Sequence, residues 1–243
     1  KMVNKNNIYA FVQARLNSSR LKDKVIKKIN NKTLIEILLK RLSKSKLVDK
    51  VVVLIPEEKN ENELEKLIKE KGFEVFRGNK NNVLDRFYKA SKKYKSHYII
   101  RITADCPLVD VNIIDKLIKI IIKKKYNYVS NTSPATFPDG LDAEIFTTKI
   151  LHHTWKKAKT KYDKEHVTPF MIRSKSKKKF NLMYKKDLSS TRLTVDYIED
   201  FQLIKKIFNY FKPNIYFNWE KVFELKNKKK QWFNKNKDYK RNE

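Results

Sequence analysis

Short apolar runs alternate with amphipathic, helix-length segments over the first 130 residues, and this alternation constrains the fold more than any other feature. The runs at residues 8–12, 51–55 and 98–102 are rich in β-branched residues, as buried strands are. The segments between them, such as residues 33–42 and 83–94, place apolar residues at helical spacing. Strands that alternate with helices in this way form a mostly parallel sheet. The sequence therefore predicts an α/β fold with a mixed, mostly parallel twisted sheet flanked by helices.

The remaining segments predict further elements and the limits of the domain. After Asn131 the pattern loosens, so we expect one domain over residues 1–225 that carries an irregular insertion around residues 131–190. The lysine-rich tail, residues 226–243, is expected to be a solvated helix or a frayed end. Further strands are predicted at residues 74–76, 128–130, 180–184 and 192–195, and further helices at residues 61–71, 114–122, 149–159, 165–174 and 198–210.

Charge and cysteine content limit the classes of function. The formal net charge is +30, but lysine supplies 48 of the 57 basic residues and is spread over almost every predicted surface. A nucleic-acid-binding protein usually concentrates its basic residues in one patch, so we do not expect nucleic acid to be a partner. The single cysteine, Cys106, allows no internal disulfide, and no apolar run reaches the length of a membrane span. We therefore expect a soluble, cytoplasmic chain that is not inserted in a membrane.

A basic loop follows the first predicted strand and is the strongest functional signal. Only nine residues of the chain are arginine, so the two in this loop stand out against the lysine background. Cationic, hydroxyl and backbone N–H groups together can stabilise the negative charge that develops on a leaving pyrophosphate. A solvated basic loop is the ordinary alternative, and triphosphate binding is favoured over it. The candidate nucleotide ligands in this loop are Gln13, Ala14, Arg15, Ser18, Ser19, Arg20 and Lys24.

Two carboxylates come directly after predicted strands. Asp105 follows the strand at residues 98–102, where it suits Mg²⁺, an ion that binds one or two carboxylates and keeps several waters. Asp196 follows the strand at residues 192–195 and could complete such a site, although a helix N-cap is the favoured interpretation of its position. Because the carboxyl ends of parallel strands meet at one edge of a sheet, we expect the basic loop and both carboxylates around one crevice.

Two later segments offer candidate ligands for an acceptor. Three carboxylates, Asp139, Asp142 and Glu144, surround a turn and could bind acceptor hydroxyls or a cation, although Pro-Asp-Gly is also an ordinary turn. Glu165 and His166 are added to this set. A lone histidine is more often structural than catalytic, so a structural role for His166 stays open.

Four groups of short motifs occur in a fixed order along the chain. They are Gln13-Ala14-Arg15 through Arg20-Leu21 and Lys24; Phe76-Arg77-Gly78 with Val83-Leu84-Asp85-Arg86; Arg101-Ile102-Thr103 with Asp105-Cys106-Pro107; and Pro138-Asp139-Gly140-Leu141-Asp142 with Glu165-His166-Val167-Thr168-Pro169 and Leu193-Thr194-Val195-Asp196. In order and spacing these motifs resemble the cytidylyltransferases that activate acidic sugars as CMP derivatives, and most closely the branch named spore-coat polysaccharide biosynthesis protein F. The resemblance extends over nearly the whole chain to about Phe211.

The resemblance implies a Rossmann-like nucleotide-diphospho-sugar transferase fold with a mixed seven-stranded sheet. It implies an enzyme of surface polysaccharide biosynthesis that transfers CMP from CTP to a nonulosonic or ulosonic acid, or to a phosphorylated small acceptor, and releases pyrophosphate. Mg²⁺ is the implied cofactor, held by Asp105 and Asp196. Related enzymes are commonly dimers, which implies a homodimer paired through the stretch after Asn131. The implied catalytic residues are Arg15, Arg20, Lys24 and Asp105, and the further candidate nucleotide ligands are Arg77, Arg101 and Thr103. For Arg77 and Arg101 the acid group of the acceptor is the alternative ligand.

Three other functions stay open at the level of the sequence. A glycosyltransferase of the same fold would normally carry an Asp-x-Asp pair at its donor metal, whereas the segment here is Asp105-Cys106-Pro107. The net charge alone would suit a polyanion-binding or nucleic-acid-binding protein. An inactive relative of the enzymes is the third alternative.

Overall fold

The computed structural model describes residues 7–175, 178–239 and 241, and a seven-stranded sheet lies at its centre. The strands are β1 (Ile8–Gln13), β4 (Lys50–Pro56), β5 (Glu74–Gly78), β6 (Tyr98–Thr103), β7 (Tyr128–Ser130), β8 (Glu144–Thr147) and β9 (Lys179–Asn181), beside a separate hairpin of β2 (Lys28–Ile29) and β3 (Lys32–Thr33). The order in the sheet is β5-β4-β1-β6-β8-β7-β9. Among these strands β8 alone runs antiparallel to its neighbours, which confirms the predicted mixed, mostly parallel sheet.

Helices cover both faces of the sheet. They are α1 (Leu34–Leu42), α2 (Asn62–Glu70), α3 (Val83–Tyr94), α4 (Val111–Lys124), α5 (Thr148–Lys157), α6 (Lys161–His166), α7 (Pro169–Arg173), α8 (Ile198–Tyr210) and α9 (Trp219–Lys228). Because side chains alternate across a strand, Phe11 of β1 packs with α3, α5 and α7, whereas Ala10 and Val12 pack with α1, α4, α8 and α9. Within the described residues, none of the helices has the length and apolar character needed to span a membrane.

Several segments differ from the elements expected from the sequence. Residues 192–195 are not a strand, because their backbone bonds are made to loops: Leu193 N–H donates to the Asp139 carbonyl and Val195 N–H to the Asp105 carbonyl. The helix expected at residues 165–174 is divided into α6 and α7. Strand β8, inside the stretch expected to be irregular, was not predicted.

The C-terminal tail is packed against the domain. The side chains of Phe233 and Asn236 are 6% and 2% exposed, whereas lysines nearby, such as Lys235 and Lys237, face solvent. The expectation of a solvated or frayed tail is therefore wrong for these two residues, since lysine-rich composition does not reveal which few side chains are anchored. The domain boundary at residue 225 stays a prediction.

Candidate active site

A pocket of about 220 Å³ opens at the carboxyl ends of β1 and β6. The loops after these strands lie side by side because Ala104 N–H donates to the Gln13 carbonyl at 3.0 Å, while Ala14 N–H donates to the Leu54 carbonyl of β4 at 3.0 Å. Parallel topology thus brings distant segments to one edge of the sheet, as expected. The residues that line the pocket are Gln13, Ala14, Arg15, Ser18, Ser19, Arg20, Lys24, Val25, Lys80, Val83, Arg86, Thr103, Ala104, Asp105, Glu165, His166 and Asp196.

The basic loop, residues 13–24, is anchored by apolar and backbone contacts that leave both of its arginines exposed. Leu16 is buried, and its N–H donates to the two carboxylate oxygens of buried Glu61 at 3.2 and 3.1 Å. This anchor holds the backbone of the loop against the domain, while Arg15 and Arg20 remain exposed at the pocket. Fixed backbone with exposed guanidinium groups is the arrangement that a phosphate ligand requires.

Lys24 joins the two carboxylates that the sequence suggests as metal ligands. Its Nζ donates to Asp105 Oδ2 at 3.1 Å, to Asp196 Oδ1 at 2.7 Å and to the Val195 carbonyl at 2.9 Å. Burial by itself would lower the pKa of Lys24, but attraction to both carboxylates outweighs it and raises the pKa. Burial would likewise raise the pKa of Asp105, but Lys24 outweighs it and lowers that pKa. Both groups are therefore charged at neutral pH.

A buried carboxylate cluster, formed by Asp139, Asp196 and Asp200 around Arg192, supports one wall of the pocket. The Arg192 side chain is 5% exposed, and its nitrogens lie 3.2 Å from Asp139 Oδ2, 3.2 Å from Asp196 Oδ2 and 2.9 Å from Asp200 Oδ1. The other oxygen of Asp196 faces the pocket, 3.0 Å from Arg20 Nη2. Neither Arg192 nor Asp200 was among the site residues predicted from the sequence.

Arg86 and Lys80 also line the pocket, although neither was among the predicted site residues. The Arg86 guanidinium donates to the carbonyls of Asn79 at 2.7 Å and Lys80 at 3.1 Å, which fixes the loop after β5. A Cβ at Gly78 would lie 2.8 Å from Arg86 Cγ, so the absence of a side chain at Gly78 leaves the space that the Arg86 side chain occupies. Burial lowers the pKa of Arg86 to about 10, so it is still a cation at neutral pH. The Gly78 motif in the sequence was the signal that could have identified it.

Glu165 and His166 reach the pocket at the end of α6, as expected. The next residue, Val167, has φ 71° and ψ −55°, and Thr168 N–H donates to the His166 carbonyl at 2.8 Å, which defines a γ-turn. Positive φ is rare for a β-branched residue, and here the buried Val167 side chain anchors the turn in the core. The turn ends α6 and places both residues on the pocket wall.

Arg77 and Arg101, which were expected among the nucleotide ligands, do not line the pocket. Arg77 Nε lies 2.8 Å from Glu65 Oε2 on α2. Arg101 lies 2.5 Å from Glu144 Oε2, and its Nε donates to Gln13 Oε1 at 3.1 Å. The expectation of direct contact is therefore corrected: acidic partners engage both guanidinium groups, and Arg101 orients Gln13 instead.

The three carboxylates expected to bind an acceptor, Asp139, Asp142 and Glu144, lie outside the pocket lining as well. Asp139 belongs to the carboxylate cluster, and buried Glu144 accepts a hydrogen bond from Tyr128 Oη at 2.5 Å. Asp142 contacts Arg241, and burial raises its pKa to about 7, an effect that Arg241 opposes and neighbouring carboxylates reinforce. The turn that carries Asp139 and Asp142 packs tightly, because a Cβ at Gly140 would lie 2.5 Å from Thr194 N.

The pocket carboxylates are ligands of the type that Mg²⁺ binds together with substrate phosphates. Asp105 and Asp196 both lie within hydrogen-bond distance of the Lys24 ammonium group, so the two carboxylates converge on the position of this one positive charge. Among the described residues no group of three or more acidic, histidine or cysteine side chains could hold a metal. Mg²⁺ does not need such a group, since one or two carboxylates with substrate phosphates and waters satisfy it.

A family model and two relatives match most of this chain. The family model described as cytidylyltransferase matches residues 9–239. A Methanocaldococcus jannaschii protein, MJ1063, is 38% identical over 209 residues, which cover 84% of each chain. The spore coat polysaccharide biosynthesis protein SpsF of Bacillus subtilis is 29% identical, with 84% of this chain and 87% of that protein covered.

Solved structures give the same result for the fold. The structure of a cytidylyltransferase from Leptospira borgpetersenii superimposes with a TM-score of 0.90 at 30% identity, covering 98% of this chain and 99% of that one. The nucleotide-diphospho-sugar transferase fold that the motifs implied is thereby confirmed.

Proposed function

Because the chain belongs to the cytidylyltransferase family and is a CTP-using nucleotidyltransferase, we propose that it transfers CMP from CTP to an anionic acceptor and releases pyrophosphate. The acceptor is a nonulosonic or ulosonic acid or a phosphorylated small molecule. The spore coat polysaccharide protein of B. subtilis supports a role in surface polysaccharide synthesis. Family membership favours nucleotidyl transfer over the glycosyltransferase alternative.

The convergence of Lys24, Asp105 and Asp196 at the basic loop carries the proposal. One ammonium contacts both carboxylates, and the exposed arginines of the basic loop lie on the same pocket. Cations alone would fit any polyanion. Cations beside two converging carboxylates fit a triphosphate that arrives with a divalent ion.

The proposed reaction is an in-line attack by an acceptor oxygen on the α-phosphate of CTP. Arg15 and Arg20, with the hydroxyls of Ser18 and Ser19, bind the phosphates and stabilise the charge that develops on the leaving pyrophosphate. Lys24 supplies a third fixed cation. In the family, Mg²⁺ neutralises phosphate charge when bound, and Asp105 and Asp196 are the residues that would hold it here.

The charge of the remaining pocket wall supports an anionic acceptor. Lys80 and Arg86 add two cations beyond those of the basic loop, and Glu165 is the one carboxylate in the lining besides Asp105 and Asp196. An acceptor with a carboxylate or phosphate group would be attracted to this wall, while Glu165 and His166 are placed to bind its hydroxyls. We therefore retain Glu165 and His166 as acceptor ligands and omit Asp139, Asp142 and Glu144.

We also propose that the enzyme works as a cytoplasmic homodimer, with residues after Asn131 at the subunit contact. Sedimentation velocity of the purified chain tests the assembly. A monomer at all concentrations up to those used in assays would contradict it.

The reaction is tested by incubating the protein with CTP, Mg²⁺ and a panel of ulosonic acids, nonulosonic acids and sugar or polyol phosphates, and measuring pyrophosphate. We expect release with at least one acceptor, and loss of release in Asp105→Asn. Absence of both CTP binding and pyrophosphate release with every acceptor would falsify the proposal. Replacing CTP by the other three nucleoside triphosphates provides the matched control.

A further inference from the structure

The C-terminal segment, residues 233–239 and 241, contacts the turn that carries Asp196. Phe233 and Asn236 are buried, and the Tyr239 ring stacks on Tyr197 with centroids 4.0 Å apart and planes within 6°. These contacts join residues about 40 positions apart, and they lie directly behind one wall of the pocket. The segment itself contributes no residue to the pocket lining.

Asn236 bonds to the acidic residue that shapes the Asp196 turn. Asp200 is fully buried, and its Oδ2 accepts the backbone N–H groups of Asp196 and Tyr197 at 3.0 Å each. Its Oδ1 accepts Arg192 Nε at 2.9 Å and Asn236 Nδ2 at 2.9 Å. Buried polar groups are satisfied by hydrogen bonds, and each of these donors restricts the orientation of the Asp200 carboxylate. Asn236 therefore helps to fix Asp200, and through it the backbone that points Asp196 at the pocket.

Tyr239 is connected to the basic loop through the ring of Tyr197. The Tyr197 ring on which it stacks also lies 5.3 Å from the Arg20 guanidinium, within the range of a cation–π contact. Arg20 in turn lies 3.0 Å from Asp196 Oδ1. The Tyr239 hydroxyl makes a separate bond to Glu199 at 3.1 Å, so the ring and the hydroxyl can be tested separately.

We propose that Asn236 and Tyr239 are positioning residues for cytidylyl transfer, which hold Asp196 and Arg20 in their pocket-facing geometry without touching substrate. This inference rests on the proposed roles of Asp196 and Arg20 in binding CTP and its metal. It assigns a function in the reaction to a lysine-rich terminus that was expected from its composition to be solvated or frayed.

The same contacts would also stabilise the fold, so the test must separate positioning from stability. Tyr239→Leu removes the ring, Tyr239→Phe keeps the ring and removes only the hydroxyl, and Asn236→Ala removes the donor to Asp200. Tyr210→Leu is the matched control, because this exposed tyrosine contacts Phe211 and Trp232 and no pocket residue. Affinity for CTP with Mg²⁺ is measured by calorimetry, and kcat and KM by pyrophosphate release, at a temperature where thermal unfolding shows every variant to be folded.

We expect Tyr239→Leu and Asn236→Ala to weaken CTP binding and lower kcat/KM by about tenfold each, the size of one lost stacking or charge-assisted contact. Tyr239→Phe and Tyr210→Leu should match the parent. Parent-like binding and kinetics in fully folded Tyr239→Leu and Asn236→Ala would overturn the positioning role while the proposed function stands. An equal defect in Tyr239→Phe would overturn the role of the stacked ring. A parent protein that binds no CTP would overturn both proposals together.

Discussion

The basic loop and the carboxylate cluster border the same pocket, but their arginines differ in how far they are exposed to solvent. Arg15 and Arg20 of the loop are exposed, whereas Arg192 of the cluster is 5% exposed and bonded to three carboxylates. An exposed guanidinium can exchange water for a phosphate. A buried and fully bonded one cannot be released without leaving unpaired carboxylates behind.

This difference in exposure distinguishes the residues proposed to bind the substrate from the residues that hold the pocket wall in place. Asp196 stands at the boundary, since one of its oxygens belongs to the cluster and the other faces Arg20 and Lys24. The buried cluster holds Asp196 in its orientation, and the oxygen on the other side of the carboxylate faces the pocket. Mutations on the two sides should therefore affect different measurements, stability for the cluster and reaction for the loop.

The largest effect is expected for Arg192→Ala. Removal of this guanidinium leaves Asp139, Asp196 and Asp200 without their shared cation, and breaking a buried ion pair in this way costs about 3–5 kcal/mol. The unfolding free energy, measured by urea denaturation, should fall by that amount. Arg173→Ala is the control, because the Arg173 side chain is 56% exposed in its pair with Asp163. Equal stability of the two variants would show that the cluster is not a scaffold.

Arg20→Ala should act on the reaction and not on stability. Loss of one fixed donor to a developing oxyanion costs about 10²- to 10³-fold in rate, so pyrophosphate release should fall by that factor with an unchanged urea midpoint. Arg77→Ala is the matched control, since Arg77 is a partly exposed arginine whose partner lies on α2. A comparable loss of activity in Arg77→Ala would contradict the separation of the two arginines.

Gly140→Ala tests how tightly the Asp139 turn packs on the cluster. Gly140 has φ 103°, and an added Cβ would lie 2.5 Å from Thr194 N, so backbone must move. We expect a loss of about 2–3 kcal/mol, from left-handed strain plus this contact. Gly72→Ala has a similar φ of 81° but open space, and should lose only about 1 kcal/mol. Equal losses would mean that the turn adjusts freely.

Measured per pH unit, the smallest effect is a pH dependence at Asp142, on the edge of the cluster. Its pKa is about 7 in the folded chain and roughly 4 when unfolded, so between these values the folded state holds a proton that the unfolded state has lost. The contribution to stability is thus full below about pH 4 and disappears as pH rises through about 7, with a slope of at most about 1.4 kcal/mol per pH unit. Urea unfolding of the parent and Asp142→Asn over this range checks it. An identical slope in both proteins would rule out this carboxyl as the source.

The parts of the site that the sequence predicted share one property: they are local. Arg15, Arg20 and Lys24 follow one strand and Asp105 another, so strand order alone sends them to the same crevice. Glu165 and His166 were found by their motif and do reach the pocket. The metal and acceptor roles of these residues stay predictions, tested by the experiments above.

The parts that failed depend on contacts between distant segments. The sequence predicted Arg77 and Arg101 as nucleotide ligands. Their acidic partners, Glu65 and Glu144, lie in other segments of the chain, so the local sequence did not indicate these ion pairs. Arg86 was not among the predicted site residues, because its position in the pocket depends on the space left by the absent side chain of Gly78, eight residues earlier.

By itself, the sequence determined the α/β alternation, the parallel core of the sheet and the edge where the basic loop and Asp105 meet, because apolar periodicity and strand polarity are properties of short segments. Only the tertiary structure decided which charges are free and which are bonded. An acidic or basic side chain is solvated or paired according to the residues that lie beside it in the fold. For Lys24 those partners are 81 and 172 positions away in the sequence. The same holds for the tail, where composition suggested solvent and two anchored side chains, Phe233 and Asn236, place the segment behind the pocket.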